Sequence, residues 1–402
     1  MAGLYIHIPF CKSRCIYCAF YSSTHHEWME EYVDALCREM ELRRDFFSHL
    51  SPLTSPPSPL HTIYFGGGTP SQLPPSLLYR LFARIRDIYN VADDAEVTVE
   101  CNPDDVTDDF AAALATMPVN RVSMGAQSFA DDRLRFLHRR HTSQQVVEAV
   151  ERLRRNGFRN ISIDLMFGFP DETLKDWESD IRQAIALDVE HISAYSLMVE
   201  EGTPLAEWSR KNNVVEDEDL SRAMYETLID RLTAAGYEHY EISNFARFSP
   251  HCSKRMEEMK GQKLPSKGGF RSRHNSSYWN GTPYTGLGAA AHSYDIRTRS
   301  WNIADLRSYI DNLQQGVLPI EDTEVIDDIT HYNDLVTTAL RTREGILLTD
   351  IDNARFHDYL MQNAQKGLDR QLLAITDGRL HLTRKGLFVS DDVMSDLIFV
   401  ES

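Results

Sequence analysis

Three cysteines stand within eight residues near the N-terminus, in Cys11-Lys12-Ser13-Arg14-Cys15-Ile16-Tyr17-Cys18. The spacing, C-x3-C-x2-C, lets three thiols meet one inorganic centre. Iron–sulfur clusters are held by cysteine thiolates, and a cubane held by only three of them keeps one iron open. An open iron can bind a small molecule, by the logic that separates catalytic metal sites from closed structural ones. A structural zinc site would want a fourth Cys or His at short spacing. The next cysteine, Cys37, falls inside a helical pattern, and His25 and His26 read as the polar start of that helix. Three reduced cysteines without metal, partly buried beside Ala19 and Phe20, are the remaining alternative.

The elements that must position these thiols alternate. Leu4–Ile8 reads as a short buried strand closed by Pro9. Trp28–Phe47 follows as a helix whose Tyr32, Leu36 and Met40 share one face, with Cys37 beside them as a core residue. Ser51–Pro59, with four prolines, reads as a linker. Strands then recur at Thr62–Phe65, Glu96–Glu100, Arg121–Met124, Asn160–Met166 and His191–Leu197, each preceded by a helical pattern. Such alternation implies a parallel sheet with helices outside. The polar and glycine-rich segments cluster at the strands' C-terminal ends, where such sheets carry their sites. The expected fold is therefore α/β: a partial (β/α)6 barrel over residues 1–200. Residues 201–300 extend it, with a basic, aperiodic insertion over 250–273 that reads as mobile. Residues 301–402 hold helical patterns and a hairpin turned by Asp377-Gly378, which together resemble a winged helix.

The cysteine spacing is the signature of radical S-adenosylmethionine (SAM) proteins. Tyr5-Ile6-His7-Ile8-Pro9-Phe10-Cys11 resembles the approach to the cluster loop in the branch that holds the oxygen-independent coproporphyrinogen III oxidases and the HemW heme chaperones. The resemblance implies a [4Fe-4S] cluster on Cys11, Cys15 and Cys18, with SAM on the open iron. An electron from the cluster can then split SAM to a deoxyadenosyl radical.

Gly66-Gly67-Gly68-Thr69-Pro70 is not a phosphate-binding loop, because no Gly-Lys-Ser/Thr follows. Alone it reads as a tight strand-to-helix turn. The resemblance makes it the segment whose backbone carbonyls, around Gly67, Gly68 and Thr69, meet the SAM amino group. By the same resemblance Glu100 and Gln127 contact SAM near its amino acid and ribose. Arg139 offers a cation to its carboxylate, with Arg140 as the alternative, and Asp164 binds ribose hydroxyls. Tyr5 and Tyr17 would flank the cluster and adenine. Each residue taken alone also reads as an ordinary capping, surface or core residue.

Two features separate the branches. The oxidases carry a fourth cysteine where this chain has Phe20. The segment His274-Asn275-Ser276-Ser277-Tyr278-Trp279 resembles the H-N-x-x-Y-W motif of the chaperones, implicated there in heme binding. A neutral imidazole is a good iron ligand, and Tyr278 and Trp279 offer flat faces to a porphyrin; the alternative is core packing with His274 as a structural histidine. His292, in a Gly/Ala-rich turn, and Cys252 are further candidate ligands. The expectation is a heme chaperone that hands heme to apoproteins, including respiratory ones at the membrane. Oxidative decarboxylation of coproporphyrinogen III is the alternative.

Composition narrows the setting. The 402 residues carry a net charge of -18, which argues against nonspecific nucleic-acid binding. Residues 321–402 hold 16 acidic against 8 basic side chains, so a winged helix there reads as a protein-contact module. No run of 18 apolar residues suits a membrane span, and Met1-Ala2-Gly3-Leu4 passes directly into a strand pattern rather than a leader. Clustered thiols need a reducing compartment. The cytoplasm, with peripheral work at the membrane, is the expected location.

Overall fold

The computed structural model describes residues 2–48, 59–215, 217–248 and 269–401. The expected linker, except Pro59, and most of the 250–273 insertion, Cys252 included, lie outside the described residues.

Six strands run parallel in chain order: β1 (Ala2–Ile8), β2 (Leu60–Gly67), β3 (Val91–Cys101), β4 (Arg121–Gln127), β5 (Ile161–Phe167) and β6 (His191–Ser196). Each crossover passes through at least one helix. β1 and β4 are buried on nearly every residue, as expected of parallel strands covered on both faces. The helices carry their own start signals. Thr142 and Gln145 form a capping box for helix Ser143–Arg155, and Thr173 and Asp176 one for helix Leu174–Ala186; each reciprocal pair satisfies two amide groups the helix leaves orphaned. Helix Met29–Leu42 sends Tyr32, Val33, Leu36 and Met40 into the core, with Cys37 packed at its margin.

The sheet grows at both edges after β6. A hairpin of β7 (Tyr237–Glu241) and β8 (Asn244–Arg247) adds antiparallel to β6. On the other edge β9 (Tyr284–Leu287) pairs parallel with β1, and β10 (His292–Tyr294), β11 (Thr298–Asn302) and β12 (Ile320–Val325) follow antiparallel. The order is β12-β11-β10-β9-β1-β2-β3-β4-β5-β6-β8-β7. This open, partly wound barrel keeps β1 at its centre.

The division expected at residue 300 falls inside β11, because β11 and β12 still belong to the large sheet. A separate hydrophobic core begins only at Tyr332 and runs to Phe399. It joins helices Asp328–Ala339, Ala354–Asp369 and Ser390–Leu397 to a small antiparallel sheet of β13 (Ile346–Leu347), β14 (Leu373–Thr376) and β15 (Arg379–Leu382). Asp377 and Gly378, both at positive φ, turn the β14–β15 hairpin. This winged-helix-like unit is tied to β7. Ile242 N–H donates to the Arg341 carbonyl and Arg343 N–H to the Tyr240 carbonyl, each at 3.0 Å, and Arg341 pairs with buried Glu241 at 3.0 Å.

Candidate cofactor site

The loop after β1 is fixed by backbone bonds to three other segments. Cys11 N–H donates to the Ser23 carbonyl at 2.9 Å. Ile16 N–H donates to the Leu137 carbonyl, beyond β4, and the Ile16 carbonyl accepts from Leu205 N–H, beyond β6. Ile16 packs with Leu137, Phe169, Leu197 and Leu205, with Tyr17 beside them, into a small apolar seal. His26 Nε2 meets the Cys11 carbonyl at 3.1 Å. The three thiols are half-buried and free, and burial raises the pKa of Cys11 and Cys18.

Among the described residues no three His, Cys, Asp or Glu side chains converge on one metal ion. Thiolates around a single zinc would stand roughly 4 Å apart, given Zn–S bonds of about 2.3 Å. Each cysteine of a cubane instead meets a different iron. The donor chemistry fits the same group. Thr69 Oγ1 lies 3.4 Å from Cys11 Sγ, and Arg139 Nη1 lies 3.6 Å from Cys15 Sγ, a cation against a future thiolate.

Beside the thiols, β2 ends in a cradle that only glycine can form. A Cβ on Gly67, at φ +111°, would fall 2.7 Å from the His7 ring, and one on Gly68 would fall 2.6 Å from the Pro9 backbone. Gly68 N–H donates to the Ile8 carbonyl at 2.9 Å, so β2 closes tightly over the end of β1. The next strand ends bring side chains toward the same space. Glu100 (β3) accepts from Tyr64 Oη at 2.6 Å, and Asp164 lies two strands away on β5 with Gly125 of β4 in register beside it. Burial pushes Glu100 up to about 7 and Asp164 up to about 6. Buried carboxyls in this condition favour a cation or hydroxyl donors as company. Gln127 is buried at φ +66°, an uncommon backbone state for a non-glycine residue.

Two arginines compete for the same role in the sequence, and the structure separates them. Arg140 is held by Asp104 at 2.8 Å and Asp105 at 3.2 Å. Arg139 points the other way, donating to Asn102 Oδ1 at 2.7 Å and the Gly125 carbonyl at 2.8 Å while touching Cys15. Tyr17 lies by Cys15 and Arg139. Tyr5 stacks on Tyr64 and His274 and shares a hydrogen bond with His7.

The helix Arg273–Trp279 sits elsewhere, against the start of β2. His274 is buried, and both ring nitrogens are taken: Nδ1 meets Thr62 Oγ1 at 2.9 Å and Nε2 meets Tyr278 Oη at 2.9 Å. Its backbone N–H donates to buried Glu96 at 3.0 Å. As placed, His274 is a structural histidine with no nitrogen free for iron. Asn275 is tied at the helix start by its N–H to Ser272 Oγ. Tyr278 and Trp279 are half-buried at the far end. His292 is exposed on β10 and stacks on Trp301.

Several participants carried no sequence signal. Asn102 and Tyr64 gain meaning only through Arg139 and Glu100. Arg121, at the start of β4, is almost completely buried, with Nε and Nη1 lacking partners among the described residues; its charge works against the burial that raises Glu100 and Asp164. No described helix is long and apolar enough to cross a membrane.

A sequence profile of the Radical SAM superfamily matches residues 5–184. The heme chaperone HemW of Bacillus subtilis (strain 168) is 33% identical over 400 residues, covering 98% of each chain. The heme chaperone HemW of Escherichia coli (strain K12) is 32% identical over 296 residues, 72% of this chain and 69% of its own. Among solved structures, coproporphyrinogen III oxidase (HemN) from Escherichia coli, a radical SAM enzyme, superposes with a TM-score of 0.81 over 99% of this chain and 90% of its own, at 20% identity. That last likeness shows a shared fold.

Proposed function

The chain belongs to the HemW heme chaperone family of radical SAM proteins, and we propose that it binds a [4Fe-4S] cluster, SAM and heme and delivers heme to recipient apoproteins. The observation that carries this reading is the match to heme chaperones along 98% of the chain, C-terminal unit included. Phe20 supports it: three-quarters exposed at the cluster loop, it offers no fourth thiol.

When bound, a cubane with one open iron supplies a coordination site for the SAM amino and carboxylate groups and a source of one electron. The chain's own residues do the rest. Cys11, Cys15 and Cys18 hold three irons. Arg139, oriented by Asn102 and the Gly125 carbonyl, balances thiolate charge and faces the SAM carboxylate. Gly67, Gly68 and Thr69 present backbone carbonyls to the ammonium. Glu100 and Asp164 accept hydrogen bonds from ammonium and ribose, and Gln127 adds a neutral partner. Tyr17 and the Ile16 cluster keep water from the loop, and Tyr5 braces Tyr64 from behind. Tyr278 and Trp279 are the heme-facing part of their helix. The recipients are respiratory apoproteins reached from the cytoplasmic side of the membrane, with the acidic C-terminal unit as the contact.

The test is an anaerobic hemin titration of reconstituted protein, read in the Soret region. A saturable one-to-one complex is expected. Absence of saturable binding, together with SAM-dependent release of CO2 from coproporphyrinogen III, would replace this reading with the oxidase.

A further inference from the structure

A cavity of about 720 Å³ lies between the Arg273–Trp279 helix and the C-terminal unit. That size falls within the roughly 300–1,000 Å³ of cavities that take cofactor-sized ligands. Tyr278, Trp279, Tyr284 and Tyr294 line its barrel side, a set of flat faces suited to a large planar ring. The indole Nε1–H of Trp279 is buried with no acceptor among the described residues. Native structures rarely leave such a donor unpaired, so a ligand acceptor has a place to bind.

The opposite wall carries the chemistry. His331, on helix Asp328–Ala339, lines the cavity and is exposed; among the described residues its ring makes no hydrogen bond, and it lies within electrostatic reach of Asp334. Its neighbours in charge are mostly spoken for. Arg271 is held by Glu238 and Glu344, and Arg299 by Glu324 and Asp334. The third lining carboxylate, Asp350, is exposed. Arg379, on β15, also lines the cavity; among the described residues it donates only to the Gly345 carbonyl, at 3.4 Å, and pairs with no carboxylate. Among the described residues, an imidazole without a hydrogen bond and a guanidinium without a carboxylate partner thus line the same cavity as an aromatic wall. Neither His274 nor His292 lines this space.

We propose that the C-terminal unit supplies the heme iron's ligand, His331, with Arg379 pairing a propionate and the ring lying along Tyr278 and Trp279. This rests on the heme-binding reading above and names the residues that carry it out. A neutral imidazole is a common iron ligand, and a guanidinium pairs a carboxylate in fork geometry. The inference also gives Tyr278 and Trp279 a role that His274 does not share.

The experiment titrates reconstituted full-length protein with hemin and with metal-free protoporphyrin IX, in wild type, His331→Ala and Arg379→Gln. Thermal unfolding confirms that both variants are folded. His331→Ala should shift the Soret band and weaken hemin about tenfold or more, equivalent to about 1.4 kcal/mol, with metal-free porphyrin bound as in wild type. Arg379→Gln should weaken both ligands, roughly three- to tenfold. Hemin bound by His331→Ala with unchanged band and affinity would overturn the ligand while leaving heme binding intact. Unchanged affinities in Arg379→Gln would overturn the propionate contact. No saturable hemin binding by wild type would remove the heme reading itself, and this inference with it.

Discussion

His274 bonds to Tyr278, and His331 lines the cavity that Tyr278 also lines, yet the two histidines live under opposite rules. His274 belongs to the recognisable motif and spends both ring nitrogens inside the fold. Burial pushes it down to about 3, so it stays neutral and serves as a strut between β2 and the helix. His331 belongs to no motif and keeps its ring unbonded in a cavity. The difference teaches that a motif histidine can earn its place by holding aromatic neighbours in position. The residue that meets the ligand can come from another part of the chain.

The largest effect that would sharpen this contrast lies at the cluster. Cys15→Ala, reconstituted without oxygen, should lose the cubane's broad absorbance and reduced EPR signal, whereas His331→Ala should keep both. Retained iron and signal in Cys15→Ala would break the ligand assignment. Next in size, His274→Ala should cost about 2–4 kcal/mol of stability, from a buried cavity and stranded Thr62 and Tyr278 hydroxyls. Denaturant unfolding measures this, and folded protein should still show the wild-type Soret position. A shifted band without loss of stability would reverse the roles of the two histidines.

Smaller is Arg139→Gln, which should weaken SAM binding roughly tenfold, the scale of one charge-assisted contact. Arg140→Gln should leave it nearly unchanged, because Arg140 already serves Asp104 and Asp105. Equilibrium dialysis with reconstituted protein distinguishes them. The mildest effect is the pH dependence. Glu100 and Asp164 have folded pKa values of about 7 and about 6, above their ordinary 4.5 and 3.8. The folded chain therefore binds more protons than the unfolded one between about pH 4 and 7, and ligand-free stability falls as pH rises through that window. SAM affinity should move oppositely, rising as Glu100 ionises to receive the ammonium. Glu100→Gln should flatten both curves; an unchanged stability slope in that variant would count against Glu100 as the titrating group.

Much of this was legible in the sequence for a local reason. The cysteines follow β1, the glycine turn closes β2, and Glu100, Gln127 and Asp164 lie on β3, β4 and β5, neighbouring strands that a parallel sheet aligns in one direction. Side-chain allegiance was less legible. Nothing in the Arg139-Arg140 pair says which one Asp104 and Asp105 will capture, since that depends on how the turn after β3 folds. The pairing of β9 with β1 and the hairpin on β6 were also hidden, because each joins segments distant in sequence with no shared local pattern. The division at 300 missed for the same reason: β11 and β12 look like separate short strands until they meet β10.

The place of β1 at the sheet's centre has a consequence during synthesis. One edge of β1 can be covered by β2 early, but its other partner, β9, lies more than two hundred residues further on. At about 5–20 residues per second, the open edge of this largely buried strand waits roughly ten to forty seconds for its neighbour. Throughout that interval the loop carrying the three thiols hangs from a strand only half secured. Cluster loading before β9 arrives would act on an incomplete cradle, so maturation of this chain is timed by its own C-terminal half.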